Sequence, residues 1–319
     1  MTTAPALAVR SSDFIAAGLD DRSLRRLRER GRLARVVPGA YVDADLWGRL
    51  SDRERYVTRV HSTVSRLQGP VAISHWSAAA VWGFPVPDAW PESVQVVDPR
   101  RASSNSIPTL HRRPGILPPD EVVDWEGLLV TTPSRTAADL ALISGFTDAV
   151  VVFDHCLFKG VLDPAIVRGL FDRRRTARRR RSALAALDFS RAGAASPGES
   201  FSRVALASRG FPEPVLQAPF ADHRGPIGLV DFWWPERGIV GEFDGDVKYT
   251  DPRYTRGRTA AEVVTEEKRR QARLRAVPEV RDVVRWDYSV ARDPDELARR
   301  LLAAGLPRVN PRARLPRWS

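Results

Sequence analysis

"IGLVDFWWPERGIVGEFDGDVKY", residues 227–249, threads Asp231, Glu242 and Asp244 through two runs that otherwise read as buried strands. The loop "PERG" between the runs begins with proline and ends with glycine, which suits a four-residue hairpin connection. Strands at 227–234 and 239–244 then pair so that Trp233 faces Val240 and Asp231 faces Glu242. Facing residues of an antiparallel pair point to the same side, with Cβ atoms about 4.5–5.5 Å apart. Asp244 lies two residues beyond Glu242 and shares that side. Three carboxylates crowded on an apolar sheet are costly unless something positive sits among them. Either a cation binds there, or a basic side chain from elsewhere neutralises the cluster.

Hard oxygen donors select Mg²⁺ or Mn²⁺. Such an ion, held by Asp231 and Glu242, would polarise a phosphodiester and activate a water. Glu199 is a further ligand candidate, one turn into a helix that opens "SPGESFSRVALASRG" and turns Phe201, Val204, Ala205 and Ser208 to the sheet. The competing reading pairs Glu199 with Arg203 at i+4. Lys248, four residues after Asp244 and beyond the flexible Gly245, is the candidate to steady the water or the developing charge; otherwise it is an exposed loop residue. Downstream, "AAEVVTEEKRRQARLRAV" predicts a charged helix over 260–277. From it Lys268 or Arg269 would bind a phosphate or neutralise the acids.

Working outward, the rest of the C-terminal part predicts a strand near 214–220, another at "RDVVRW" and a helix at 293–304, giving a mixed α/β sheet with helices on its faces. The small, Gly/Pro/Ser-rich "SRAGAASPG", 190–198, marks a domain boundary. Before it, "RRRTARRRR", 173–181, predicts a basic helix surface continuing through "SALAALDF", able to contact phosphates or simply solvated.

The chain has 319 residues, a formal charge of +11 and a pI near 10.7. That surplus points to a polyanionic partner, nucleic acid first and an anionic membrane surface second, or to the arginine-rich usage of a GC-rich genome. Cys156 is the sole cysteine, which excludes an internal disulfide or a cysteine-based zinc site and suits a reducing cytoplasm. No apolar window approaches a membrane span, and the N-terminus does not read as a signal peptide.

Residues 11–43, "SSDFIAAGLDDRSLRRLRERGRLARVVPGAYVD", predict a short helix, a turn, a basic helix capped by Asp20 or Asp21 and ended by Gly31, and a hairpin turning at Pro38-Gly39. This is the grammar of a winged helix-turn-helix, with Leu24 and Leu27 inward and Arg25, Arg26 and Arg28 outward. Arg35 joins them from the hairpin as a DNA-contact candidate. Between 49 and 182, an amphipathic helix at 51–68, short strands at "VAIS", "SVQVVD", "TLHRR", "EVVDW" and "LLVTT", and helices from 133 to 172 predict an α+β block. His61, His75, His111 and His155 are scattered without ligand spacing and read as packed or surface histidines. The expected organisation is therefore multidomain α+β: winged helix 1–48, central α+β domain 49–182, C-terminal α/β domain 183–319.

Two resemblances attach to these motifs. The features Glu199 after "SP", Asp231 in "VDFWWP", "EFDG" at 242–245, and "EEKRRQARLR" followed by "VVRW" resemble the PD-(D/E)XK nuclease superfamily, in particular Vsr-like domains related to very-short-patch repair endonucleases, over roughly 185–305. The resemblance implies a restriction-endonuclease-like fold and Mg²⁺-dependent DNA cleavage. The lysine usual two residues after the second acid is Asp244 here, so either Lys248 substitutes or catalysis is weak or lost. "LRRLRERGRLARVVPGAYV", "ISHWSAAAVWGFPVP" and "GLLVTTPSRTAADLAL" are similar to AbiEi-type antitoxins, which implies a transcriptional autoregulator of a type IV toxin–antitoxin system with a cognate toxin as partner. The alternative to a cleaving enzyme is thus a non-catalytic regulator that keeps a degenerate nuclease fold. The oligomeric state is left open.

Overall fold

The computed structural model describes residues 5, 8–16, 18, 20–86, 89–174, 179–245 and 260–310. Two units emerge: Met1–Val152 with Gly160–Leu187, and Phe153–Lys159 with Asp188–Ser319.

The first unit opens with two short helices and a small three-stranded sheet, an arrangement like that of a winged helix. Strand β1 (Val9–Arg10) precedes helices α1 (Ser11–Ala16) and α2 (Asp21–Glu29). Asp20 caps α2 by accepting the Ser23 N–H at 2.8 Å. The chain then bends through Gly31, whose φ of +67° a side chain would disfavour. Strands β2 (Leu33–Val37) and β3 (Ala40–Asp43) form the wing, and β1 adds to β3 to give the order β1-β3-β2. Val36, Val37, Ala40 and Val42 make its small core, and Leu24 is the one fully buried residue of α2. Helix α3 (Ala44–Arg49) leads to α4 (Asp52–Val64). Ser51 and Glu54 close a reciprocal capping box at the start of α4.

The helix α4 carries the chain into the central sheet. Its apolar stripe, Tyr56, Val57, Val60 and Val64, packs on a six-stranded mixed sheet. The strands are β4 (Ala72–Ile73), β5 (Val94–Val97), β6 (Asn105–Ile107), β7 (Leu110–Arg113), β8 (Val122–Trp125) and β9 (Leu128–Thr131), in the order β6-β7-β5-β4-β9-β8. Helix α5 (His75–Trp82) follows β4, and α6 (Pro133–Ala141) follows β9 with Thr132 as its cap. Helices α7 (Phe146–Phe158), α8 (Pro164–Arg173) and α9 (Arg180–Phe189) complete the run. Every strand expected between 71 and 132 is present, and β6, a short exposed edge strand, is an addition. The arginine run does not form one helix surface. Arg173 ends α8, Arg174 leaves helical geometry with its side chain on the Leu170 carbonyl, and Arg180 begins α9. Residues 175–178 lie outside the described residues.

In the second unit, α10 (Pro197–Ser208) precedes strands β10 (Val215–Asp222), β11 (Gly225–Trp234) and β12 (Ile239–Phe243); helix α11 (Ala260–Arg275), strand β13 (Asp282–Trp286) and helices α12 (Tyr288–Ala291) and α13 (Pro294–Ala303) follow. The sheet order is β10-β11-β12-β13, antiparallel except for the parallel β12–β13 pair. One face packs Phe232, Trp234, Ile239, Phe243 and Trp286 against α10, α12 and α13. On the other face Val240 and Val283 meet Leu274 of α11. Both faces of the sheet are thus covered by helices, as a largely apolar strand pair requires. Gly198 lets the first turn of α10 lie on β12, because a Cβ there would overlap the Phe243 ring. That close approach brings Glu199 to the end of the sheet.

Candidate functional site

The charged residues expected from the sequence to form sites lie in two groups, one in each unit. On the winged helix, Arg25, Arg26 and Arg28 are exposed on α2 and Arg35 is exposed on β2. The Arg25 side chain is 80% exposed and touches Glu29 at 2.9 Å, an i,i+4 pair of little energetic weight. Arg26 reaches back to the Ser23 hydroxyl at 3.2 Å. The Arg28 guanidinium lies over the Tyr41 ring at 5.9 Å, so α2 and the wing hold it from both sides. These arginines are positioned without being consumed, which leaves their N–H groups available to phosphates.

In the second unit the strand pairing follows the hairpin register set out above. Phe232 pairs with Gly241, Trp233 with Val240 and Trp234 with Ile239, which leaves Asp231 and Glu242 just past the last paired residues of the ladder. The acids do converge, but protein donors meet them. Arg270 on α11 donates from Nη2 to Glu242 Oε1 at 2.7 Å and to the Leu229 carbonyl at 2.8 Å. Arg285, the parallel neighbour of Glu242 on β13, forks onto Asp244 at 2.8 and 2.5 Å. Its Nη1 donates to Glu267 at 2.9 Å and lies 3.7 Å from Glu242 Oε2. The hydrogen bonds to Asp244 outweigh desolvation and hold the Arg285 charge above its already high range. For Arg270, burial opposes the charge, but the bond to Glu242 reverses the sign and the net shift is upward. Glu242 is 5% exposed, and a carboxylate so buried needs such partners.

Glu199 and Asp231 form the other half of the cluster. Glu199 accepts the Ala195 N–H at 2.9 Å and the hydroxyl of the N-cap residue Ser196 at 2.8 Å, while Ser196 caps α10 by accepting the Glu199 N–H. The Gln217 amide then donates to Glu199 at 2.9 Å and to Asp231 at 3.2 Å, bridging the two acids. Asp231 also receives the Phe243 N–H at 2.8 Å. Gln217 sits mid-strand with φ of +50°, a left-handed geometry that costs about 1–3 kcal/mol and is sustained by its surroundings. Burial, followed by the nearby Asp231, pushes the Glu199 carboxyl up to about 7.

For a divalent ion this donor set is a poor fit. Glu242 is bound by a guanidinium, and Asp231 and Glu199 share an amide. Among the described residues no group of three or more His, Cys, Asp or Glu is arranged to hold a metal ion. Mg²⁺ or Mn²⁺ would first have to displace Arg270 from Glu242.

Residues 8–42 match the family described as "Transcriptional regulator, AbiEi antitoxin". The match covers β1 through most of β3, the winged helix itself. Over 279 residues the chain is 26% identical to "Uncharacterized protein MT2308" of Mycobacterium tuberculosis (strain CDC 1551 / Oshkosh), spanning 85% of this chain and 92% of the relative. "Uncharacterized protein Rv2248" of strain ATCC 25618 / H37Rv shows the same identity and coverage. The similarity therefore runs through both units.

Several sequence expectations shift. The helix residue that reaches the acids is Arg270; Lys268 and Arg269 are exposed on α11. Arg203 is not the partner of Glu199. Its guanidinium is buried on Asp154 at 2.5 Å and on the Phe189 carbonyl at 2.7 Å. Helical spacing allowed the Glu199–Arg203 pair, but Glu199 turns toward the helix start and Arg203 toward α7. Lys248 lies outside the described residues. Gln217 and Arg285 were missed altogether. An arginine inside the apolar run "RDVVRW" was the available signal for Arg285.

Proposed function

We propose that this chain is a DNA-binding transcriptional regulator of the AbiEi antitoxin type, acting in the cytoplasm. The observation that carries the reading is the set of exposed arginines on α2 and the wing, within the stretch that matches that family. Helix α2 would enter the major groove, where Arg25, Arg26 and Arg28 contact base edges and phosphates, while Arg35 meets the backbone from the wing. A cognate toxin would be the protein partner, as the family description implies.

The C-terminal unit is read as a nuclease-related domain that binds rather than cuts. Support comes from Arg270 and Arg285, which occupy the acidic cluster, and from Asp244 in the position where such domains carry a lysine. Its exposed Lys268 and Arg269 would add phosphate contacts. Among the described residues no helix is long and apolar enough to cross a membrane.

The test uses the full chain and a duplex from upstream of its own gene, with EDTA or with Mg²⁺. The expected result is equal binding in both and an intact duplex. Strand scission that needs Mg²⁺ and disappears in Asp231→Asn would overturn the non-cleaving reading and restore the endonuclease one.

A further inference from the structure

The central sheet of the first unit carries a second cluster that the regulator reading leaves unused. Its residues come from four places. Glu121 precedes β8; Arg135 and Asp139 lie one turn apart on α6; Arg173 and Arg174 end α8; Arg113 ends β7. They line a cavity of about 440 Å³, a size typical of small-molecule sites. Glu121 is 3% exposed and takes three arginines: Arg135, Arg173 at 2.7 Å and Arg174 at 3.2 Å. Arg135 also holds Asp139 at 2.8 Å.

The charge in this cavity does not balance. Four guanidinium groups face two carboxylates. Arg113 is left over. Its Nε is buried without a hydrogen-bond partner, and among the described residues the side chain makes no ion pair. Burial, only partly offset by Asp139, presses its charge downward. A half-buried cation with an unsatisfied Nε is costly, and an anion in the cavity would offset that cost. His75 lies at the same cavity with φ of +51°, a strained conformation for a residue with a Cβ. Desolvation drives its imidazole down to about 4, so it stands neutral at pH 7 and can give or take a hydrogen bond without adding charge. Val97 and Ile116 supply apolar wall beside these groups.

We propose that this cavity is a binding site for a small phosphorylated molecule, whose phosphate dianion sits against Arg113 and offsets the surplus guanidinium charge. A planar guanidinium presents paired N–H groups that match phosphate oxygens. The carboxylates Glu121 and Asp139 fix Arg135, Arg173 and Arg174 in place, so the site is ordered before the ligand arrives. They also repel a long polyanion, which favours a compact phosphate ester over a nucleic-acid strand.

The experiment titrates the full chain with inorganic pyrophosphate and with adenosine monophosphate by calorimetry, alongside thermal melting. A site selective for the folded state gives saturable heat and a melting temperature that rises with ligand concentration. Arg113→Gln is expected to weaken binding at least tenfold, with Arg113→Lys intermediate. The melting temperature of unliganded Arg113→Gln should be at least that of the wild type, which separates loss of the site from loss of the fold. Duplex binding through α2 should be unchanged. Absence of saturable binding by both probes would overturn the proposal, as would equal binding by Arg113→Gln. So would a variant that loses affinity only for duplex DNA, since the phosphates would then belong to the nucleic acid.

Discussion

The arginines of α2 and those around Glu242 are the same residue type put to opposite uses. On α2 they stand in water, and Arg25 has only a solvent-screened contact with Glu29. In the second unit, Arg270 and Arg285 are committed to Glu242, Asp244 and Glu267. The difference teaches that net charge alone does not locate a nucleic-acid surface. What counts is which guanidinium groups the fold has already neutralised. The surplus of +11 is spent unevenly, and only the unpaired part is available to a polyanion.

A deeply buried arginine sets the upper end of the substitution effects. Arg203 and Asp154 are 4% and 0% exposed, so Arg203→Ala strands a buried carboxylate and should cost about 3–5 kcal/mol in urea unfolding. Burial already raises the Asp154 pKa despite its partner. A loss below about 1 kcal/mol would put Arg203 with the surface residues.

Glu199 comes next, through pH. Its folded pKa of about 7 lies above the ordinary 4.5, so the folded state holds the proton more tightly. The stability this supplies is complete below about pH 4.5 and is lost as pH rises through 7, amounting to at most about 3 kcal/mol. Glu199→Gln cannot titrate. The difference in unfolding free energy between variant and wild type should therefore grow in favour of the variant from pH 5 to pH 8. A pH-independent difference would mean that burial and the neighbouring Asp231 do not raise the Glu199 carboxyl.

Arg270→Ala should cost about 2 kcal/mol, less than Arg203→Ala because its side chain is 26% exposed and water screens the charge left behind. Adding Glu242→Gln should recover part of that loss, since the stranded charge disappears. No recovery in the double-mutant cycle would mean that Arg270 stabilises through the Leu229 carbonyl alone. At the low end, Arg25→Ala should change stability by less than about 0.5 kcal/mol while weakening duplex binding several-fold.

Local signals were legible in the sequence and long-range ones were not. The hairpin register followed from "PERG" and the alternation around it, because turn length and apolar pattern fix which residues face each other. Asp20 announced its helix through side-chain capping chemistry that needs only neighbouring residues. By contrast, Arg285 meets Glu242 through a parallel pairing across more than forty residues, and no local pattern sets that register. Arg270 rather than Lys268 or Arg269 reaches the acids because of the rotational phase of α11, which a nearly all-charged stretch does not reveal. The left-handed Gln217 was invisible for a related reason: glutamine carries no turn propensity, and the two acids that hold it lie 14 and 18 residues away.

The most direct measurement is duplex affinity as a function of salt, by fluorescence anisotropy, for the wild type and for the combined Arg25→Ala, Arg26→Ala and Arg28→Ala variant. Each phosphate contact contributes about 0.9 to the slope of log affinity against log salt. A steep wild-type slope is expected, and a variant slope shallower by up to about 3, with affinity lower throughout. Equal slopes and equal affinities would contradict it, because the DNA would then be held by some other surface.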